Sequence, residues 1–182
     1  MKVQKKYFTI TNRSYVMKKS VFIGIILGLM VILAKPVAAQ DHGFGLGLVL
    51  GEPTGLSAKL WTSRVNAFDF GLGVAVGGDR ISHDNYYYNG ESRLHFHMDY
   101  LWHSFSAINS SERFPLYYGI GGRYNSGGGY DGSLGVRGVF GIAWLPRATP
   151  IDIFLELVPV FQLTPSTGFG IDAGLGIRYF FQ

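Results

Sequence analysis

Large apolar residues recur at every second position through most of the chain after residue 43. The run Asn66–Val76 is the clearest case. Phe68, Phe70, Leu72, Val74 and Val76 alternate with Ala67, Asp69, Gly71, Gly73 and Ala75. Period two puts successive side chains on opposite faces of a β-strand. A half-buried strand in water usually carries Lys, Glu, Thr or Gln on its wet face. Here the second face is glycine, alanine and one carboxylate. A membrane barrel needs this division, with bulky apolar groups towards lipid and small or polar groups towards a narrow lumen.

Seven further segments repeat the pattern. They are Phe44–Gly51, Leu56–Thr62, Arg93–His103, Pro115–Asn125, Ser133–Leu145, Ile151–Phe161 and Phe169–Phe181. Turn chemistry separates them: Glu52-Pro53-Thr54-Gly55, Ser63–Asn66, Pro146–Pro150 and the glycine-rich 126–132. Pro159 can donate no ladder hydrogen bond, so a bulge or a strand end is expected there. Tilted membrane strands need about 9–11 residues, and these segments suit that length. An open sheet edge in lipid leaves backbone groups unpaired, so the sheet must close. The pattern predicts an all-β chain: an eight-stranded antiparallel up-and-down transmembrane β-barrel. Long connections face outward and short turns inward. Gly77–Ser92 then lies outside, while Ser104–Phe114 is long for an inner turn.

The N-terminal stretch differs. Lys18-Lys19 precede the apolar run Val21–Leu33, and Pro36-Val37-Ala38-Ala39 follows. Basic, apolar and small-residue regions in that order predict a cleavable signal peptide over residues 1–39, cut after Ala39. Met17 is the better start, because Met1–Val16 adds nothing that a signal peptide needs. The barrel domain is then 40–182, in the outer membrane. This changes the reading of charge. The formal net charge is +4, yet seven of the sixteen basic residues precede Gln40 and no acid does. From Gln40 onward nine basic residues face twelve acidic ones, so the barrel is formally −3 and offers nucleic acid no basic surface. There is no cysteine, hence no disulfide and no lipidated cysteine anchor.

Strand parity sends Lys59, Arg93, Arg123, Arg137 and Arg178 inward, together with Asp69, Asp99, Asp152, Glu156 and Asp172. An eight-stranded lumen is just wide enough for side chains. Five charges of each sign there must pair, because an isolated buried charge is costly. The expectation is a lumen closed by an ionic network. Trp102, Trp144, Tyr179 and Phe181 end segments that run in one direction and share the apolar face, which predicts an aromatic belt at one membrane interface. Trp61 sits at the same level with the opposite parity; a bulge would bring it into line.

The chain resembles the small eight-stranded outer-membrane barrels, the family of the OmpA transmembrane domain and OmpX. Residues 47–55, 99–103, 116–123 and 163–168 are also similar to an uncharacterised outer-membrane barrel family of diderm lineages. That resemblance implies no reaction and no cofactor. It implies a monomer in contact with outer-membrane lipid and lipopolysaccharide. Gly176, Tyr179 and Phe181 resemble the C-terminal signal read by the barrel-assembly machinery. Gly174 stands where a polar residue is usual, and Gln182 follows the last aromatic.

Candidate chemistry is sparse, and neither a catalytic nor a metal site is expected. His95, His97 and Asp99 share a face, but residues two apart lie about 6.6 Å apart along a strand. A metal would need ligands from a neighbouring strand. His103, Ser104 and Glu112 invite comparison with outer-membrane lipid A deacylases, although the spacing differs. A lipid A-modifying hydrolase is therefore one alternative. A small pore is another, and a soluble lipocalin-like barrel with the apolar face lining a cavity is a third. Asp152 and Glu156 are expected to take arginine partners. Tyr86, Tyr87 and Tyr88 form an amphipathic loop tip suited to surface binding. Gly43-x-Gly45-x-Gly47 precedes no helix and is no nucleotide loop.

Overall fold

A computed structural model describes residues 42–75, 93–126, 132–147 and 149–181. The leader, the cleavage position, Tyr86–Tyr88 and Gln182 lie outside the described residues. Eight strands run in order: β1 (Phe44–Gly51), β2 (Thr54–Trp61), β3 (Asn66–Ala75), β4 (Arg93–Ser104), β5 (Leu116–Asn125), β6 (Ser133–Trp144), β7 (Ile151–Thr164) and β8 (Gly168–Phe181). Each pairs antiparallel with the next, and β1 pairs with β8 from Phe44↔Phe181 to Gly51↔Gly174. The sheet is a closed barrel without an edge. The described residues hold no helix long and apolar enough to cross a membrane, which bears only on helices.

The alternation survives intact. In β3 the side chains of Ala67, Asp69, Gly71, Gly73 and Ala75 are buried inside, while Leu72 and Val74 are exposed. Leu155 is 53% exposed and Ile177 46%, against 1% for Asp69 and Arg137. The apolar face therefore looks out and the ions look in. The lipocalin-like alternative required the reverse.

Three details differ from expectation. Trp61 is 7% exposed and points into the barrel, where it packs with Ala67 and Phe180 and meets the His103 ring at 4.4 Å. The β2–β3 register runs without a bulge from Thr54↔Val74 to Trp61↔Ala67, so parity prevails over the preference of tryptophan for an interface. Second, β7 continues through Pro159 to Thr164. Pairing with β6 stops at Arg137↔Val160 and resumes at Phe140↔Leu157, so the missing donor interrupts the ladder without ending the strand. The bulge lies further on: Leu134 pairs Thr164 and Gly135 pairs Gln162, leaving Leu163 as the extra residue. Third, the first turn is tighter than expected and β2 starts at Thr54. The Thr54 hydroxyl accepts from Gly51 N at 3.1 Å and donates to Gly51 O at 2.9 Å. Gly51 has φ +131°, a conformation that side chains rarely adopt.

The inner glycines have a steric logic. Gly71 pairs with His97, Gly119 with Leu101, Gly121 with Asp99, Gly141 with Tyr117, Gly176 with Phe154, and Gly45 with Phe180. A Cβ on any of these glycines would run into the side chain of that partner. Each large inward group lies across the bare backbone of the neighbouring strand, which is how a narrow lumen holds so many of them.

Replacing Gly141 by Val would displace the Tyr117 ring. We expect a loss of about 1–3 kcal/mol in urea unfolding of the refolded barrel. Gly170→Ala, where a Cβ meets nothing within 4 Å, should leave stability within about 0.5 kcal/mol.

Candidate functional site

The lumen is the chemically dense part of the molecule. Nine of the ten expected inner charges are buried: Lys59, Asp69, Asp99, Arg123, Arg137, Asp152, Glu156, Asp172 and Arg178. Arg93, at the start of β4, is only partly buried.

Arg178 is the hub. From β8 its Nε donates to Ser57 Oγ at 2.8 Å, Nη1 to Asp152 Oδ2 at 3.1 Å and Nη2 to Asp69 Oδ2 at 2.9 Å. It thereby ties β2, β3 and β7 together. Its guanidinium carbon also lies 3.7 Å from the Phe154 ring centroid. Lys59 Nζ donates to Asp152 Oδ2 at 3.0 Å and lies 3.4 Å from His103 Nε2. The Tyr117 ring, 5.1 Å from Nζ, and the Trp61 ring, 5.4 Å away, cover it. Nearer the other end, Arg137 Nε donates to both oxygens of Asp99 at 3.1 Å. Arg123 Nη1 donates to Asp172 Oδ2 at 2.9 Å, and Arg137 Nη1 lies 3.8 Å from the same oxygen.

Asp152 takes the arginine partner expected of it, Arg178, and Lys59 as a second cation. Glu156 does not: its partner is the Tyr117 hydroxyl, which donates to Oε1 at 2.8 Å. The sequence reading also missed an apolar part of the lumen, where Val49, Leu101, Tyr117, Val139, Ala143, Phe154, Val158 and Val160 form one buried cluster. Leu101 and Phe154 already stood at inward parity and were the available signal.

The expected aromatic belt lies on the outer face at one end. Trp102 is 37% exposed, Trp144 39% and Phe181 44%. Trp102 stacks on Tyr118 across the β4–β5 pair at 5.7 Å, and Phe114 stacks on Trp144 at 6.3 Å. Tyr179 and Phe181 meet edge to face at 5.2 Å.

The hydrolase constellation does not assemble. His103 is buried inside, with Nδ1 3.2 Å from Val65 O, while its neighbour Ser104 points outward. Asp69 and Asp99 do come together, as direct cross-strand partners with His97 beside them. That neighbour-strand ligand is what the metal reading lacked. A cavity of about 10 Å³ lined by Asp69, His97, Arg137, Glu156 and Arg178 has room for about one water.

With this geometry in hand, the chain was compared with known proteins: no family model matches it, no curated protein matches it, and no solved structure matches it.

Arg178→Met strands Asp69 and weakens the hold on Asp152. We expect about 3–5 kcal/mol of destabilisation in urea. Adding Asp69→Asn should recover most of that loss, because the cost lies in the orphaned buried charge.

Proposed function

We propose that this chain is an integral outer-membrane barrel with a structural or surface-interaction role and a lumen closed to solutes. One observation carries the reading: a continuous outer face of exposed large apolar side chains around a closed sheet that buries nine of its ten strand charges inside. Soluble monomers rarely expose apolar patches beyond a few hundred Å². A band of this kind needs acyl chains to cover it, and the Trp102, Trp144, Tyr179 and Phe181 rings suit an interface with headgroups. The basic, apolar and small-residue leader supports export. The Gly176, Tyr179 and Phe181 positions of the last strand support delivery by the barrel-assembly machinery. Family membership in the small OmpA-like barrels is part of the same proposal and rests on pattern.

Closure follows from the lumen. Ties between non-adjacent strands, such as Lys59–Asp152 and Arg178–Asp69, occupy the space a solute would use. At the end bearing the belt, Phe105 packs against the Trp61, Ala67 and Phe180 cluster. Steady pore conductance is therefore not expected. With the inner face committed to its own ties, interaction with other molecules falls to the rims and loops, Tyr86–Tyr88 among them. A lipid A hydrolase finds no support at His103.

The three tryptophans test the reading. In bilayers with brominated acyl chains, a variant keeping only Trp102 or only Trp144 should be strongly quenched. A variant keeping only Trp61 should not. Recovery of the exported protein in the soluble fraction without detergent would sink the membrane assignment. Large, stable currents in planar bilayers would sink the closed lumen.

A further inference from the structure

We propose that the lumen carries a binding site for one divalent first-row transition-metal ion of the zinc type. Its ligands are Asp69 of β3 and His97 and Asp99 of β4. One ligand atom from each of the three lies within 4.8 Å of the other two, so a shift of about half an ångström brings them to the reach of a single ion, whose bonds of about 2.0–2.2 Å span at most about 4.4 Å. All three side chains are buried, at 1%, 3% and 1% exposure. One imidazole with two carboxylates is a donor set for a borderline ion of this type rather than for calcium, which takes oxygen ligands alone.

Two atoms of the cluster have ionic neighbours but no hydrogen bond within good geometry. His97 Nδ1 lies 2.9 Å from His95 Nε2, a hydrogen bond that fixes the ring. Its Nε2 then faces Asp99 Oδ2 at 3.9 Å, too far for a hydrogen bond, and no other described residue bonds to it. Asp69 Oδ1 lies 2.6 Å from Arg178 Nη2 but outside hydrogen-bond geometry, and no other group bonds it. A metal-bound imidazole usually has its second nitrogen held by a neighbour, and His95 stands in that place.

The arginines do not forbid an ion. Arg178 divides its charge between Asp69 and Asp152, and Arg137 between Asp99 and Asp172. Among the described buried residues five carboxylates face four cationic side chains, Lys59, Arg123, Arg137 and Arg178. With neutral histidines the sum is −1, and a divalent ion moves it to +1, no further from balance. Asp69 and Asp99 stand directly opposite each other, and a cation between them removes a like-charge pairing that sheets otherwise penalise. The small cavity beside Asp69 and His97 leaves room for one water as a further ligand.

The lumen is tight, so the ion would enter as the barrel folds. The test refolds tag-free protein in detergent with Zn²⁺, desalts it, and measures zinc by elemental mass spectrometry. Folding is verified for every variant by heat-modifiable gel mobility. Wild type should retain stoichiometric zinc, as should His42→Ala, which alters an exposed histidine. His97→Ala should lose it, and so should His97→Gln, the closer substitute in case the alanine variant fails to fold. In competition with a chromophoric chelator, His95→Ala should bind about tenfold more weakly or worse. Zinc-free wild type, or equal retention by a folded His97 variant, overturns the site. Neither result depends on whether the barrel resides in a membrane.

Discussion

Taking a charge out of water is affordable inside a protein only when a partner takes over from the solvent. That constraint governs this barrel. Arg178, Arg137, Arg123 and Lys59 are held by Asp69, Asp99, Asp152 and Asp172 in a space with almost no room for anything else. Where the partners come from strands three apart, as in Lys59–Asp152, Arg123–Asp172 and Arg178–Asp69, the charges act as struts. Arginine suits the hub position, since its planar fork meets Ser57, Asp69 and Asp152 in three directions at once, where the ammonium of a lysine would be a point charge. The glycine pattern follows from the same demand. Long inward groups need bare backbone to lie across, and the paired strand provides it.

The eight strands were legible because their side-chain period is short and local. So was the division into outer and inner faces, since parity alone decides it. Trp61 shows how strong parity is. Its depth argued for the outer belt, and its position in an unbroken register put it inside with Ala67 and Phe180. Pro159 shows the converse weakness of a local rule. A missing donor removes one ladder bond, while closing the sheet fixes the whole strand, and the strand runs on to Thr164. Strand ends moved by one to three residues for similar reasons.

Pairing inside the lumen was far less legible. Which cation meets which carboxylate depends on register summed around the barrel, and no short window of sequence holds that. Asp69 and Asp99 are thirty positions apart, yet the β3–β4 register sets them face to face. Glu156 was expected to take an arginine and takes the Tyr117 phenol, because the nearby Arg178 is already spent on Asp69, Asp152 and Ser57. The apolar cluster of Val49, Leu101, Phe154 and Val158 draws on β1, β4 and β7, so no local pattern brings its members together.

A filled lumen also limits where recognition can occur. A residue that supports an ion pair in the lumen cannot swing out to meet a ligand at the rim without orphaning its partner. An aliphatic residue on the apolar band has no polar atom with which to choose one. On the proposed reading, contacts with other molecules fall to the rims, where the chain leaves the sheet. The turn at 62–65 and the connection at 105–115 lie at the end bearing the aromatic rings. The connection between β3 and β4 belongs to the opposite end and is the longest of all by sequence. The division of labour is physical: the sheet closes the wall, the ions brace it, and the lumen between the described residues has room for nothing larger than an ion or a water.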